Sequence, residues 1–316
     1  MNKKIMAVVN PASAGGKTAD FWENKRKYFK KEFKNFDEYY TQKTGDAVKF
    51  SKKAVKQNYD YILAVGGDGT VNEIINGMLA AENDFSKQKK DNNSKTELII
   101  YAHGTGSDLS RSLNLDRNIN DFISLIKRGK TKEIKVIEVD YFDHNYKKRK
   151  RYFINIADCG MGAEVAKKLN KSSKKIDGSL SYFLKIFQVL VGYKNKRVKI
   201  EADKSIVYQG KINSAIIANG NYFGGGIKIA PEAELDSKKI NLVLLKDFSK
   251  LGIIINLVKG YKGKHLDHPL VESYLVEEIK IYSDSKSEIE LELDGESVGI
   301  VDAKFKISSK KISVLV

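Results

Sequence analysis

The stretch YDYILAVGGDGTVNEIINGM, residues 59–78, constrains the fold more than any other part of the chain. An apolar strand, YDYILAV (59–65), runs into Gly66, Gly67 and Gly69 around Asp68, and an apolar-periodic helix over 71–81 follows. A near-continuous apolar strand followed by a helix belongs to a parallel sheet covered on both faces. Such sheets bind ligands at the carboxyl edge of their strands, where helix N-termini favour phosphate. Glycines let the backbone approach a ligand closely and accept positive φ. Asp68 stands open between two readings. A carboxylate beside a polyphosphate is repelled unless a cation intervenes or it binds a sugar hydroxyl, which points to a Mg²⁺-nucleotide. The plain alternative is a tight glycine turn with a capping acid. Thr70-Val71-Asn72-Glu73 also fits a capping box that closes the helix start.

The same rhythm extends through the first part of the chain. The pattern predicts strands at 5–10, 36–41, 59–65 and 97–102, with helices at 19–34, 46–57, 71–81 and 118–128. ENDFSKQKKDNNSKT (82–96) reads as a charged surface insertion. Beyond residue 130 short, mostly alternating strands dominate, interrupted by helices near 178–193 and 249–262. The expected division is therefore an α/β domain over 1–130 and a mainly antiparallel β domain over 131–316, with the last strands free to return to the first domain. PASAGGKT (11–18) nearly matches a Walker loop, but Pro11 stands at its first glycine. Proline has a fixed φ and no N–H for a phosphate, so the Walker cradle cannot form there.

Charge and cysteine content narrow the partners. The chain of 316 residues has a formal charge of +16, which favours an anionic partner or reflects lysine-rich usage alone. Cys159 is the single cysteine, so no internal disulfide forms and a reducing compartment fits. MNKKIMAVVN is too short for a signal peptide and no apolar run reaches a membrane span. The expectation is a soluble, cytoplasmic protein.

NPASAGGK (10–17), AVGGDGTVNEIINGM (64–78), HGTGSDLSRSL (103–113), NYFGGGIKIAPEAELD (221–236), KGKHLDHPLV (262–271) and LELDGE (291–296) occur in an order that resembles the diacylglycerol kinase catalytic-domain family. The chain resembles the soluble bacterial members over nearly its whole length. It implies an N-terminal nucleotide domain with a parallel sheet, like that of NAD kinase and phosphofructokinase, a C-terminal β-sandwich for the lipid, and a cleft between them. The implied activity is ATP-dependent, Mg²⁺-requiring phosphorylation of diacylglycerol to phosphatidic acid. Another lipid (a sphingoid base or undecaprenol) or NAD is the alternative substrate. A nucleotide-responsive binding protein that lost catalysis is the alternative from outside enzymology. Relatives imply a homodimer, and no nucleic acid is expected.

Carried over position by position, the resemblance places ATP against Asn10, Pro11, Ala12, Ser13, Ala14, Thr41, Gly66, Gly67, Asp68, Gly69, Thr70, Val71, Asn72 and Thr105. It makes Glu296 the catalytic base, with Asp68 as its partner at the nucleotide. A lipid hydroxyl is a poor nucleophile, and a carboxylate within reach helps it attack the γ-phosphate. Without the resemblance, Asp294-Gly295 followed by Glu296 is a hairpin turn with a solvated acid. In SEIELELDGE the alternation sets Ile289, Leu291 and Leu293 on one face and Glu288, Glu290 and Glu292 on the other. Asp108 is read either as a partner that orients a lysine such as Lys17 or as a first-turn acid that complements the helix dipole.

The chain departs from the family at Ser107, usually Asn, at His103, and at Ser237-Lys238, where an acid and a glycine are usual. Only Asp236 remains as a carboxylate for a structural Mg²⁺. His265 and His268 read as structural rather than zinc-binding. Gly160, Gly162 and Ala163 in CGMGAEV carry no assigned chemistry. KKRKR (147–151) and KKLNKSSKK (167–175) read either as solvated runs or as a peripheral docking surface for anionic lipid.

Overall fold

The first strand, β1 (Lys4–Val9), is buried from Ile5 to Val9 without a break, and its neighbours supply the reason. In the computed structural model, which describes residues 2–87, 96–104, 106–115, 118–171, 188–284 and 288–316, β1 runs parallel to both β2 (Asn35–Tyr40) and β3 (Tyr61–Gly66). β3 in turn runs parallel to β4 (Glu97–Ala102). The described chain divides into two units, Met1–Ile134 with Lys310–Val316, and Lys135–Ser309.

In the first unit one sheet face carries Ile5, Ala7, Leu63, Val65 and Tyr101. It buries them against Trp22 and Phe29 from helix α1 (Lys17–Glu32), Phe33 just beyond its end, and Phe122 and Ile126 from α5 (Ile119–Arg128). On the opposite face, α2 (Asp46–Lys56) packs on β1 and α3 (Asp68–Lys87) on β3. The short helix α4 (Asp108–Ser112) follows β4. The α5 boundaries follow local chemistry: the Asn118 side chain accepts the Asn120 N–H, and Gly129 ends the helix in the left-handed region.

Helix α3 differs from its sequence-based expectation at both ends. It begins at Asp68 because the Thr70 N–H closes on the Gly67 carbonyl at 3.0 Å. It continues to Lys87, through residues expected in a surface insertion, and Asp84 takes both Lys52 and Lys56 of α2 at 2.9 Å. Residues 88–95 of that insertion lie outside the described residues.

The second unit is antiparallel. β5 (Thr131–Phe142) enters it and pairs with β6 (Lys148–Phe153). β7 (Ile156–Gly160) lies between β9 (Ser205–Ala218) and β13 (Glu290–Leu293). β9 also pairs with β8 (Lys196–Ala202) and β10 (Ile240–Lys246), and β10 with β11 (Val271–Val276). β12 (Glu278–Ser283) pairs with β8 and with the long β14 (Glu296–Leu315), whose last residues return to the first unit. Two cores lie on opposite faces of these strands, so Ile217 packs with Leu291 and Phe305 while Ile216 packs with Ile227 and Phe248. Helices α6 (Met161–Lys171) and α7 (Lys250–Tyr261) complete the unit. Ser249 caps α7 by accepting the Gly252 N–H at 3.1 Å. Of the helix expected at 178–193 and the basic run at 167–175, residues 172–187 lie outside the described residues.

Candidate active site

In the first unit the segments leaving β1, β3 and β4 meet at one sheet edge. The Asn10 N–H donates to Val65 and the His103 N–H to Gly66, both at 2.9 Å, so each segment is anchored on the strand beside it. The Asn10 amide donates to the Thr70 hydroxyl at 2.9 Å, joining the first loop to α3. Ser13 and Thr18 donate to the His103 carbonyl at 3.2 and 2.9 Å. Gly104 must lack a side chain, because a Cβ there would stand 2.5 Å from the Gly67 Cα. Ala14, Gly15 and Gly16 have φ of 50°, 67° and 96° in succession, which turns the first loop sharply before α1. Thr41, after β2, donates its N–H to the Val9 carbonyl at 2.9 Å. Asn10 through Ala14, Thr41 and Gly66 through Asn72 therefore belong to one edge of one sheet. Thr105 lies outside the described residues.

The acids of this edge cap helices, but not their own. Asp68 accepts the N–H groups of Asp108 and Leu109 at 3.2 and 3.3 Å, which seats its carboxylate at the start of α4. Glu73 does not fold back on the α3 start as a capping box would have it. It accepts the Gly45 and Ala47 N–H groups at 2.8 and 3.2 Å and so caps α2. Thr70, the other half of the expected box, lies inside α3. Asp108 takes Arg111 at 2.6 Å. Ser107 is buried with φ 50°, a conformation that Asn adopts more readily than Ser, and its hydroxyl donates to the Gly104 carbonyl at 3.2 Å. His103 stacks on Phe21 at 4.0 Å.

In the second unit, the β13–β14 turn presents Glu296. Asp294 holds the turn by accepting the N–H groups of Ile154, Asn155 and Ile156 at 2.9–3.0 Å. Arg151 donates to Glu296 at 2.6 Å, and both side chains are about one-quarter exposed. Arg151 was thus hidden inside a run that reads as basic surface. Arg149 takes Asp143 at 2.8 Å and Lys150 takes Glu138 at 2.7 Å, so most of the charge of 149–151 is matched within the hairpin.

The acidic face of β13 is not in water. Glu290 is buried and receives Lys167 and His144, and Glu292 is buried with the Gly295 N–H donating to it at 2.6 Å. Glu292 pairs in register with Asp158 on β7, another buried acid, to which the Ser214 hydroxyl donates at 3.3 Å. Burial pushes the Asp158 carboxyl up to about 7. Burial, with the Asp158 charge beside it, holds Glu292 well above the usual carboxylate range. Asp158 was missed in the sequence; its one signal is an acid inside the apolar strand IADCG. It also borders a cavity lined mainly by apolar side chains, including Met161, Val165, Phe223, Ile229 and Phe248.

The remaining candidates carry less. Asp236 is exposed, in a turn closed by the Ser237 N–H on the Glu234 carbonyl at 2.9 Å. Among the described residues no group of three or more His, Cys, Asp or Glu could hold a metal ion. His265 hydrogen-bonds the Ile229 carbonyl through Nε2 at 3.0 Å, and His268 accepts the Leu270 N–H at 3.1 Å, both structural contacts.

Comparison with known proteins covers both units. Residues 4–139 match the family profile of the diacylglycerol kinase catalytic domain, and residues 155–316 match that of the YegS C-terminal NAD kinase beta sandwich-like domain. Proteins named diacylglycerol kinase from Staphylococcus haemolyticus and Staphylococcus saprophyticus are 31% and 30% identical over 278 residues. Each alignment spans 87% of this chain, and 77% and 83% of the relatives respectively. Among solved structures, one titled as a diacylglycerol kinase from Bacillus anthracis str. Sterne shares the fold with a TM-score of 0.68 at 18% identity, covering 99% of this chain and 96% of that one.

Proposed function

The chain belongs to the diacylglycerol kinase catalytic-domain family and is a lipid kinase, and we propose that it transfers the γ-phosphate of ATP to the free hydroxyl of diacylglycerol, giving phosphatidic acid. The observation that carries this reading is the edge where the loops after β1, β3 and β4 lock together, with the Gly67 and Gly104 backbones in contact range. A fixed edge of backbone amides, glycines and short polar side chains suits a polyphosphate. Asn10 to Ala14, Thr41 and Gly66 to Asn72 would hold the nucleotide. Mg²⁺ that arrives with the nucleotide neutralises phosphate charge, and Asp68 is the carboxylate of this edge suited to face it.

The lipid half of the reading rests on the second unit. Apolar side chains line a cavity there, and Glu296 is the base. As the lipid oxygen bonds to the γ-phosphorus, its proton passes to the Glu296 carboxylate and the bond from phosphorus to the ADP oxygen breaks. Arg151 holds that carboxylate in one orientation. The enzyme meets its substrate at a membrane surface from outside, and among the described residues no helix is long and apolar enough to cross a membrane. The test is phosphate transfer from ATP to a panel of diacylglycerol, a sphingoid base, undecaprenol and NAD. Diacylglycerol should turn over fastest, and a preference for NAD or for another lipid would replace the substrate named here.

A further inference from the structure

Helix α7 is apolar on two sides and buries only one. Its inner stripe, with Ile253, Leu257 and Gly260, lines the apolar cavity of the second unit. Its outer stripe is Leu251, Ile254, Ile255 and Val258, at the i, i+3, i+4, i+7 spacing of one helical face. These four are 66, 42, 58 and 64% exposed. Lys250 reaches the carbonyl of Val191, itself an exposed apolar residue, which extends the patch beyond the helix. Contiguous exposed apolar surface with a polar rim marks an interaction site rather than ordinary surface.

The helix and the turn after it are basic, with Asp247 and Asp267 flanking that stretch. From Lys250 to Leu266 the chain carries Lys250, Lys259, Lys262 and Lys264 and no acid. We propose that the outer face of α7 is where the protein seats on an anionic bilayer, its aliphatic side chains entering the acyl boundary while the lysines meet acidic headgroups. A helix with an apolar stripe and a basic rim lies in the plane of such an interface. A second copy of the chain is the poorer partner, because a two-fold contact through this face would set lysines against lysines. The choice of a bilayer rests on the lipid-kinase reading. Seating there would place the wall of the apolar cavity at the membrane.

Cys159 is the single cysteine and is fully buried, so an introduced thiol can be labelled selectively. Ile255→Cys in the full chain, carrying an environment-sensitive fluorophore, should shift to the blue on vesicles containing phosphatidylglycerol and return as salt rises. A label at Lys148→Cys on the β5–β6 hairpin should stay unchanged. Ile255→Gln with Val258→Gln should weaken partitioning onto those vesicles by about tenfold or more and leave ATP binding unaltered. No shift at position 255, a shift at position 148 alone, or a lipid-independent shift that grows with protein concentration overturns the proposal. Insertion without lipid turnover would sink the functional reading and leave this surface standing; turnover without insertion would do the reverse.

Discussion

Replacing Glu292 with Gln should change how the second unit responds to pH. Asp158 and Glu292 face each other in register on neighbouring strands, and both are buried. A carboxyl held at about 7 instead of its ordinary 3.8 keeps its proton in the folded state after the unfolded chain has released it. Unfolding then releases a proton across that window, so stability falls as pH rises and levels off above about 7. At about 1.4 kcal/mol per pH unit, Asp158 alone accounts for a loss of up to about 4 kcal/mol, and Glu292 adds to it.

Gln at position 292 cannot ionise and keeps an acceptor for the Gly295 N–H, so the share of the pH dependence that belongs to Glu292 disappears while burial still holds Asp158 high. Urea unfolding followed by circular dichroism at pH 5.5 and pH 8 measures both proteins. Wild type should lose stability across that interval, and Glu292→Gln should lose less than half as much, standing on the order of 2 kcal/mol above wild type at pH 8. Carboxylates held below their usual range, such as Asp60 and Asp143, are ionised in both states throughout this interval. His265, held low by burial, gives stability that rises with pH through the ordinary histidine range, equally in both proteins. Identical pH slopes for the two proteins would refute the raised titration of Glu292 beside Asp158.

Gly104→Ala should separate the loops after β3 and β4, because its Cβ would stand 2.5 Å from the Gly67 Cα. Its affinity for ATP, read by equilibrium titration, should fall on the order of tenfold to a hundredfold. Glu73→Ala strips the acceptor from the Gly45 and Ala47 amides and should destabilise the first unit by about 2 kcal/mol. Trp22, the single tryptophan and part of that unit's core, reports its unfolding in urea, and an unchanged midpoint would show that the cap contributes nothing.

The loop edge of the first unit is legible in the sequence because its signals are local. An apolar strand, glycines and a periodic helix succeed one another within about twenty residues, which one face of one sheet explains. The partners of Glu73 are not legible. Its capped helix starts near Gly45, and no local pattern tells a carboxylate to close a distant helix instead of its own. Alternation in β13 sorts Glu290 and Glu292 to the polar side correctly, yet it assumes that a polar side faces water. Here that side packs against further protein, so Glu290 meets Lys167 and Glu292 meets Asp158. The run 147–151 reads as charge on a hairpin tip, whereas Asp143, Glu138 and Glu296 match its last three residues from other positions. In α7 apolar residues fall on two sides, and only the folded chain reveals which stripe is left outside.

Nucleotide binding and turnover measured side by side in Glu296→Gln test the central claim most directly. Gln preserves the shape of Glu296 and an acceptor for Arg151, and removes the site that takes the hydroxyl proton. Wild type should form phosphatidic acid from diacylglycerol and ATP in mixed micelles. The variant should bind ATP with unchanged affinity and turn over slower by about 10²–10⁴-fold. Undiminished turnover in the variant, or a loss of ATP affinity that accounts for the whole defect, would contradict the assignment of Glu296 as the base.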